Sequence, residues 1–204
     1  MSGPRISRNC PCTSAAAECH PTKNLTKGTR VFYPVFVDGA NLSMGDLHFS
    51  QGDGEITFCG AIEMGGFLDL RVDLIKGGME TYGVSENAIF MPGRVDPRFS
   101  EWLAFSGTSV TLDGEQKYLD SHLSYQRACL HAIDYLAKFG YSRIQAYMIL
   151  GSAPIEGRLS GVVDIPNSCS TVYIPTEIFD IDVRPSAAGP QQIEQGMAVP
   201  RASF

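Results

Sequence analysis

Residues 45–55 read Gly-Asp-Leu-His-Phe-Ser-Gln-Gly-Asp-Gly-Glu, which gathers an imidazole, a carboxamide and three carboxylates in one short stretch. His48, Asp53 and Glu55 are hard or borderline donors of the kind that bind Zn²⁺ or a similar divalent ion. If the backbone after Gly52 is extended, Asp53 and Glu55 point to the same face. One could then hold a metal while the other takes a proton from its water. Gly52 and Gly54 let the chain turn sharply between these groups. A Gly-Asp-Gly turn between two strands also forms with no chemistry attached, and a solitary histidine beside it is often structural, so spacing leaves both readings open.

Other reactive residue types offer less. Asp164, Asn167, Thr176, Glu177, Asp180 and Asp182 flank Pro166 and Pro175 and read as solvated strand-edge residues. Ser152 lies in Gly-Ser-Ala-Pro, which lacks the Gly-x-Ser-x-Gly nucleophile elbow. Cys59, Cys129 and Cys169 sit singly in apolar settings and read as buried small hydrophobes. Cys10, Cys12, Cys19 and His20 are soft ligand types, but Cys-x-Cys is not a zinc-knuckle spacing and no second Cys/His pair lies nearby. His122 and His131 fall on opposite faces of one helix.

The elements that must hold the first cluster follow from periodicity. Thr29–Val37 reads as a strand, with Pro34 marking an edge or a bend. Ile56–Ile62 is a second apolar strand. Between Phe67 and Ile75, Leu68, Leu70, Val72 and Leu74 alternate with Asp69, Arg71 and Asp73, the pattern of a sheet with one wet face. Strands follow at Trp102–Ser106 and Ser109–Leu112, split by Gly107, with a turn at Asp113-Gly114. From Asp120 to Phe139 the apolar residues recur at helical spacing, Asp134 and Lys138 form an i,i+4 pair, and Gly140 stops the helix. Ser142 caps a second helix running to about Leu150. Short strands are expected near Leu159–Ile165, Thr171–Ile174 and Glu177–Val183.

The 204 residues suggest one domain or two small ones. With 44% hydrophobic and 19% charged residues, the composition is that of a folded chain. Sixteen Lys and Arg against 22 Asp and Glu give a net charge of −6. That balance argues against binding nucleic acid through phosphate neutralisation and against docking on an anionic membrane. No apolar run is long enough for a transmembrane helix, and Arg5 and Arg8 are not followed by an apolar signal core, so a cytoplasmic location is expected.

Several strings together resemble the formamidase/acetamidase family. They are residues 45–55 with Ile56-Thr57-Phe58-Cys59-Gly60-Ala61-Ile62-Glu63-Met64, then Tyr118-Leu119-Asp120, Tyr125-Gln126-Arg127-Ala128-Cys129 and Lys138-Phe139-Gly140-Tyr141. The series closes with Gly161-Val162-Val163-Asp164-Ile165-Pro166-Asn167 and Pro175-Thr176-Glu177-Ile178-Phe179-Asp180. The family's His-x-x-Gln-Gly-Asp-Gly-Glu motif falls on His48, Gln51, Gly52, Asp53, Gly54 and Glu55. The resemblance is closest to the formamidase branch and covers its C-terminal half. It implies a mainly β chain with sandwich- or barrel-like strands, an α+β part carrying a helix hairpin, and assembly into a homo-oligomer. It takes in 23–190 as the family half and leaves 1–22 unmatched; residues 1–22, which lack helical or strand periodicity, are expected to be disordered, and 191–204 to form a mobile tail.

The implied reaction is hydrolysis of formamide or a similarly short linear amide to formate and ammonia, assisted by a divalent metal such as Zn²⁺. Catalytic roles then fall to Glu55, Asp53 and Gln51, and metal ligation to His48, Asp53 and Glu55. Glu55 would be the general base, Asp53 a ligand or the residue that orients the water, and Gln51 a donor to the amide or its oxyanion. Asp46 would support His48. The competing expectation is a catalytically inactive remnant that forms oligomers or binds. A third is a chain whose sheets lack partner strands and expose long edges.

Overall fold

The structure is a computed structural model that describes residues 22–39, 42, 44–57, 62–84, 88–94 and 98–193. Cys10, Cys12, Cys19, His20 and Cys59 lie outside the described residues, as do most of the two terminal segments and the middle of the strand expected over Ile56–Ile62.

In chain order the elements are β1 (Arg30–Phe32), β2 (His48–Ser50), β3 (Ile62–Glu63), α1 (Gly78–Tyr82), β4 (Ile89–Met91), β5 (Trp102–Thr108), α2 (Ser121–Ala137), α3 (Arg143–Ser152), β6 (Glu156–Gly161) and β7 (Cys169–Pro175). A 3₁₀ turn at Thr176–Ile178 follows. Strands outnumber helices, and the sheets are small and open, giving an α+β chain. It divides into two compact units, residues 1–47 with 63–97, and residues 48–62 with 98–204.

In the first unit β1 and β4 pair antiparallel, with Val31 opposite Phe90. The pair is locked at one end where Gly93 N–H donates to Thr29 Oγ1 at 2.9 Å. A side chain at Gly93 would meet Lys27 O at 2.1 Å, so only glycine fits that crossing. The expected strand over Phe67–Ile75 is absent. The alternation is real, but a strand exists only by pairing, and no described residue pairs with this segment.

The second unit is two layers. β5, β7 and β6 form an antiparallel sheet with β7 in the middle. Central position explains why Val172 and Ile174 are fully buried. Helix α2 lies on this sheet through Ala128, Ala132 and Leu136, a stripe at helical spacing with no exposed surface. Gly107 does not split β5; it stands inside the strand because a Cβ there would lie 2.2 Å from Ser124 O and 2.3 Å from Ala128 N. Asp120 caps α2, accepting from Leu123 N–H, and Ser142 with Gln145 builds a reciprocal capping box on α3. Asp134 pairs with Arg143 across the hairpin rather than with Lys138, since the start of α3 brings the guanidinium to it. Residues 177–183, expected as a strand, begin instead with the 3₁₀ turn.

Candidate functional site

The stretch Gln51–Thr57 follows β2 and is fastened to the second unit by its own backbone. Gly52 N–H donates to Gly151 O at 3.1 Å, at the C-terminal end of α3. Asp53 N–H donates to Ile155 O at 3.2 Å, just before β6. The hydroxyl of Tyr125, on α2, donates to Asp53 O at 2.6 Å, and that of Tyr147, on α3, donates to Ile56 O at 2.7 Å. Glycines make this contact possible. A Cβ at Gly52 would lie 2.3 Å from Leu150 O, and one at Gly157 would lie 2.7 Å from the Tyr125 ring. Gly54 turns with φ +91°, a left-handed geometry that costs glycine little.

Within this frame each expected site residue has a definite place. His48 opens β2 and is half-buried, and its Nδ1 lies 2.9 Å from Gln51 Oε1. Gln51 Nε2 is a buried amide nitrogen with no hydrogen-bond partner among the described residues. Asp53 accepts at Oδ2 from Gly157 N–H at 2.9 Å, so one carboxylate oxygen is tied to β6. Glu55 is half-buried and sits at φ +42°, an unusual conformation for a residue with a side chain. Strain of this sort, of order 1 kcal/mol or more, collects where surrounding contacts over-determine the backbone.

His48, Asp53 and Glu55 do not converge as a three-ligand group among the described residues. Two carboxylates in the first unit do come together: oxygens of Asp46 and Glu63 lie within 4.8 Å of each other. Asp46 also has φ +60°. His48 follows Asp46 by two residues and begins the second unit. Glu63 carried no role in the sequence reading, although it stands in one of the strings that carried the resemblance.

Tyr125 was also missed. Burial, then the charges of Cys129 and Asp53, push its phenol up, so it stays a hydrogen-bond donor at neutral pH. Its signal was present: it falls on the core-facing stripe of α2 at positions 125, 128, 129 and 132, and a tyrosine hydroxyl turned toward a core needs an acceptor. Burial pushes the Cys129 thiol up to about 12, so at neutral pH it is a protonated core group, not a nucleophile. Cys169 is half-buried, at the start of β7.

The acidic residues near Pro175 are satisfied by neighbouring donors. Asp182 receives Arg184 Nε and Nη2, each at 2.8 Å, which holds its carboxyl at about 2. Glu177 accepts both the backbone N–H and the hydroxyl of Ser100 at 3.1 Å. They line a shallow cavity of about 230 Å³ with Glu101 and Thr176, the solvated edge expected of them.

The sequence pattern of the Acetamidase/Formamidase family matches residues 5–181. The chain is 60% identical over 169 residues to a formamidase of Methylophilus methylotrophus, covering 83% of this chain and 41% of that protein. It is 66% identical over 139 residues to an acetamidase of Mycolicibacterium smegmatis, covering 68% of this chain and 34% of that one. A solved structure, a gamma lactamase from Delftia acidovorans, matches with a TM-score of 0.82 and 59% identity, over 85% of this chain and 42% of the lactamase. The chain thus spans about two fifths of the length of the formamidase and the lactamase.

Proposed function

From a chain that belongs to the acetamidase/formamidase family, we propose hydrolysis of the carbon–nitrogen bond of a short linear amide, with formamide giving formate and ammonia. The carrying observation is the loop Gln51–Glu55, which is bonded through Gly52 and Asp53 to the segment joining α3 and β6 and sets the carboxamide oxygen of Gln51 against the imidazole of His48. The likeness to a gamma lactamase makes a small cyclic amide the natural second substrate to assay.

A divalent metal fits the residues present. Asp46 and Glu63, both in the first unit, offer two carboxylates within 4.8 Å of each other, a spacing that two ligands of one cation can adopt. These two carboxylates would hold it, and a bound cation would polarise the amide carbonyl and acidify a water. Zn²⁺ is the metal we propose.

Amide resonance sets a barrier from which such enzymes remove ~8 kcal/mol or more. Glu55 takes a proton from the attacking water and returns it to the departing nitrogen, so ammonia leaves as the carboxylate forms. Gln51 Nε2–H donates to the carbonyl oxygen as negative charge gathers there. Asp53, bonded to Gly157 through its side chain and to Ile155 and Tyr125 through its backbone, keeps Glu55 in register with Gln51. We propose a homo-oligomer as the working form.

The test is ammonia release from formamide by the purified, metal-supplemented chain. Glu55→Gln is expected to lower kcat about 10²- to 10⁴-fold with the fold intact. Unchanged turnover in Glu55→Gln removes the base assignment. A second reading, a non-catalytic assembly module, is favoured by the exposed apolar segment at residues 67–75. It predicts no turnover by the wild-type chain but stable association with a longer family chain.

A further inference from the structure

A carboxamide has an accepting end and a donating end, and in Gln51 the two ends meet different surroundings. Oε1 lies 2.9 Å from His48 Nδ1. Nε2 is buried with no partner among the described residues. The backbone of Gln51 is held from both sides: β2 ends one residue before it, and Gly52, one residue after, is buried and bonded to Gly151 O. The side chain therefore starts from a fixed base and spans the three residues back to His48.

A carbonyl oxygen can only accept, so the bond to it requires the proton on Nδ1. We infer that Gln51 is a positioning residue that locks neutral His48 in the Nδ1–H tautomer and turns the lone pair of Nε2 outward from the Gln51 contact. A neutral histidine side chain free in water prefers the proton on the other nitrogen, so the lock reverses an intrinsic preference. Histidines that ligate metals through one nitrogen usually donate the other N–H to a neighbouring oxygen, which fixes both tautomer and ring plane. Gln51 Oε1 is such an oxygen. The same contact orients the carboxamide so that Nε2 faces away from the ring. The use of Nε2 as a substrate donor rests on the amide-hydrolase reading, whereas the tautomer does not.

The test is long-range proton–nitrogen correlation on the full chain labelled with ¹⁵N-histidine, at about pH 8.5, above the ordinary imidazole pKa of about 6.5. His48 is assigned among the four histidines by its loss in His48→Gln. The expected wild-type spectrum has a protonated-type Nδ1 and a bare-type Nε2. Gln51→Leu is expected to shift His48 toward the Nε2–H form, and Gln51→Glu, which keeps an accepting oxygen, to restore Nδ1–H. A wild-type His48 protonated on Nε2 overturns the inference, because that is the pattern of a carboxamide facing the ring with its nitrogen. So does a tautomer unchanged in folded Gln51→Leu. The wild-type spectrum decides even if a variant does not fold. A chain inactive on formamide that still shows Nδ1–H would sink the proposed reaction and leave this inference standing.

Discussion

A half-buried phenol packed against the core needs an acceptor, and Tyr125 finds the carbonyl of Asp53 at 2.6 Å. Tyr125→Phe leaves that carbonyl without its hydroxyl and should cost about 1–3 kcal/mol. The phenol also sets a pH dependence. Its proton is held more tightly in the folded chain than on a free tyrosine, whose ordinary pKa is about 10. The stabilisation is therefore complete below about pH 10 and declines as pH rises from there toward the raised folded value. Melting temperatures taken from about pH 8 to 11 should fall more steeply for the wild type than for Tyr125→Phe; equal slopes would count against the buried phenol. The donor types His48, Gln51, Asp53 and Glu55 were legible because they stand within eight residues of one another. The acceptor of Tyr125 and the neighbour of Glu63 were not, since each is brought close only by folding.

Among the elements, the contact between α2 and β5 turns on a missing side chain. Gly107 lets the strand approach the helix so closely that any Cβ would strike Ser124 O and Ala128 N. Gly107→Ala should destabilise the second unit by about 1–3 kcal/mol through overpacking, read as a lower midpoint in a circular dichroism melt. A melt that matches the wild type would mean the helix stands further off. Helices α2 and α3 could be read from the sequence because their signals are local: Asp120 and Ser142 bond to amides three residues on. Strand limits could not, because they depend on distant partners. Gly107 looked like a break from composition, yet its pairing with Ser170 keeps β5 continuous.

At the scale of the whole molecule, the segment from Phe67 to Ile75 keeps its apolar side chains in water, with Phe67, Val72 and Leu74 each more than 70% exposed. Its charged side is ordinary, with Arg71 paired to Asp73 at 3.1 Å. The alternation stated which face should be covered, but periodicity names no partner. Exposed apolar strips of this kind associate. The purified chain should bind a hydrophobic dye and sediment faster as its concentration rises. Val72→Lys with Leu74→Lys should suppress both while leaving the melting temperature nearly unchanged, since exposed substitutions usually stay within about ±0.5 kcal/mol. A wild-type chain that ignores the dye and stays monomeric would contradict the exposure. The second unit behaves otherwise. Gly52 and Asp53 are bonded on opposite sides of the junction where α3 ends and β6 begins, and Gly157 returns a bond to Asp53 from β6 itself. Freeing such a loop means breaking its bonds to α3 and to β6 together. Under the proposed reaction, the residues that carry the chemistry are anchored by the ends of two packed elements, and substrate would come and go with the loop held in place rather than swinging aside as a gate.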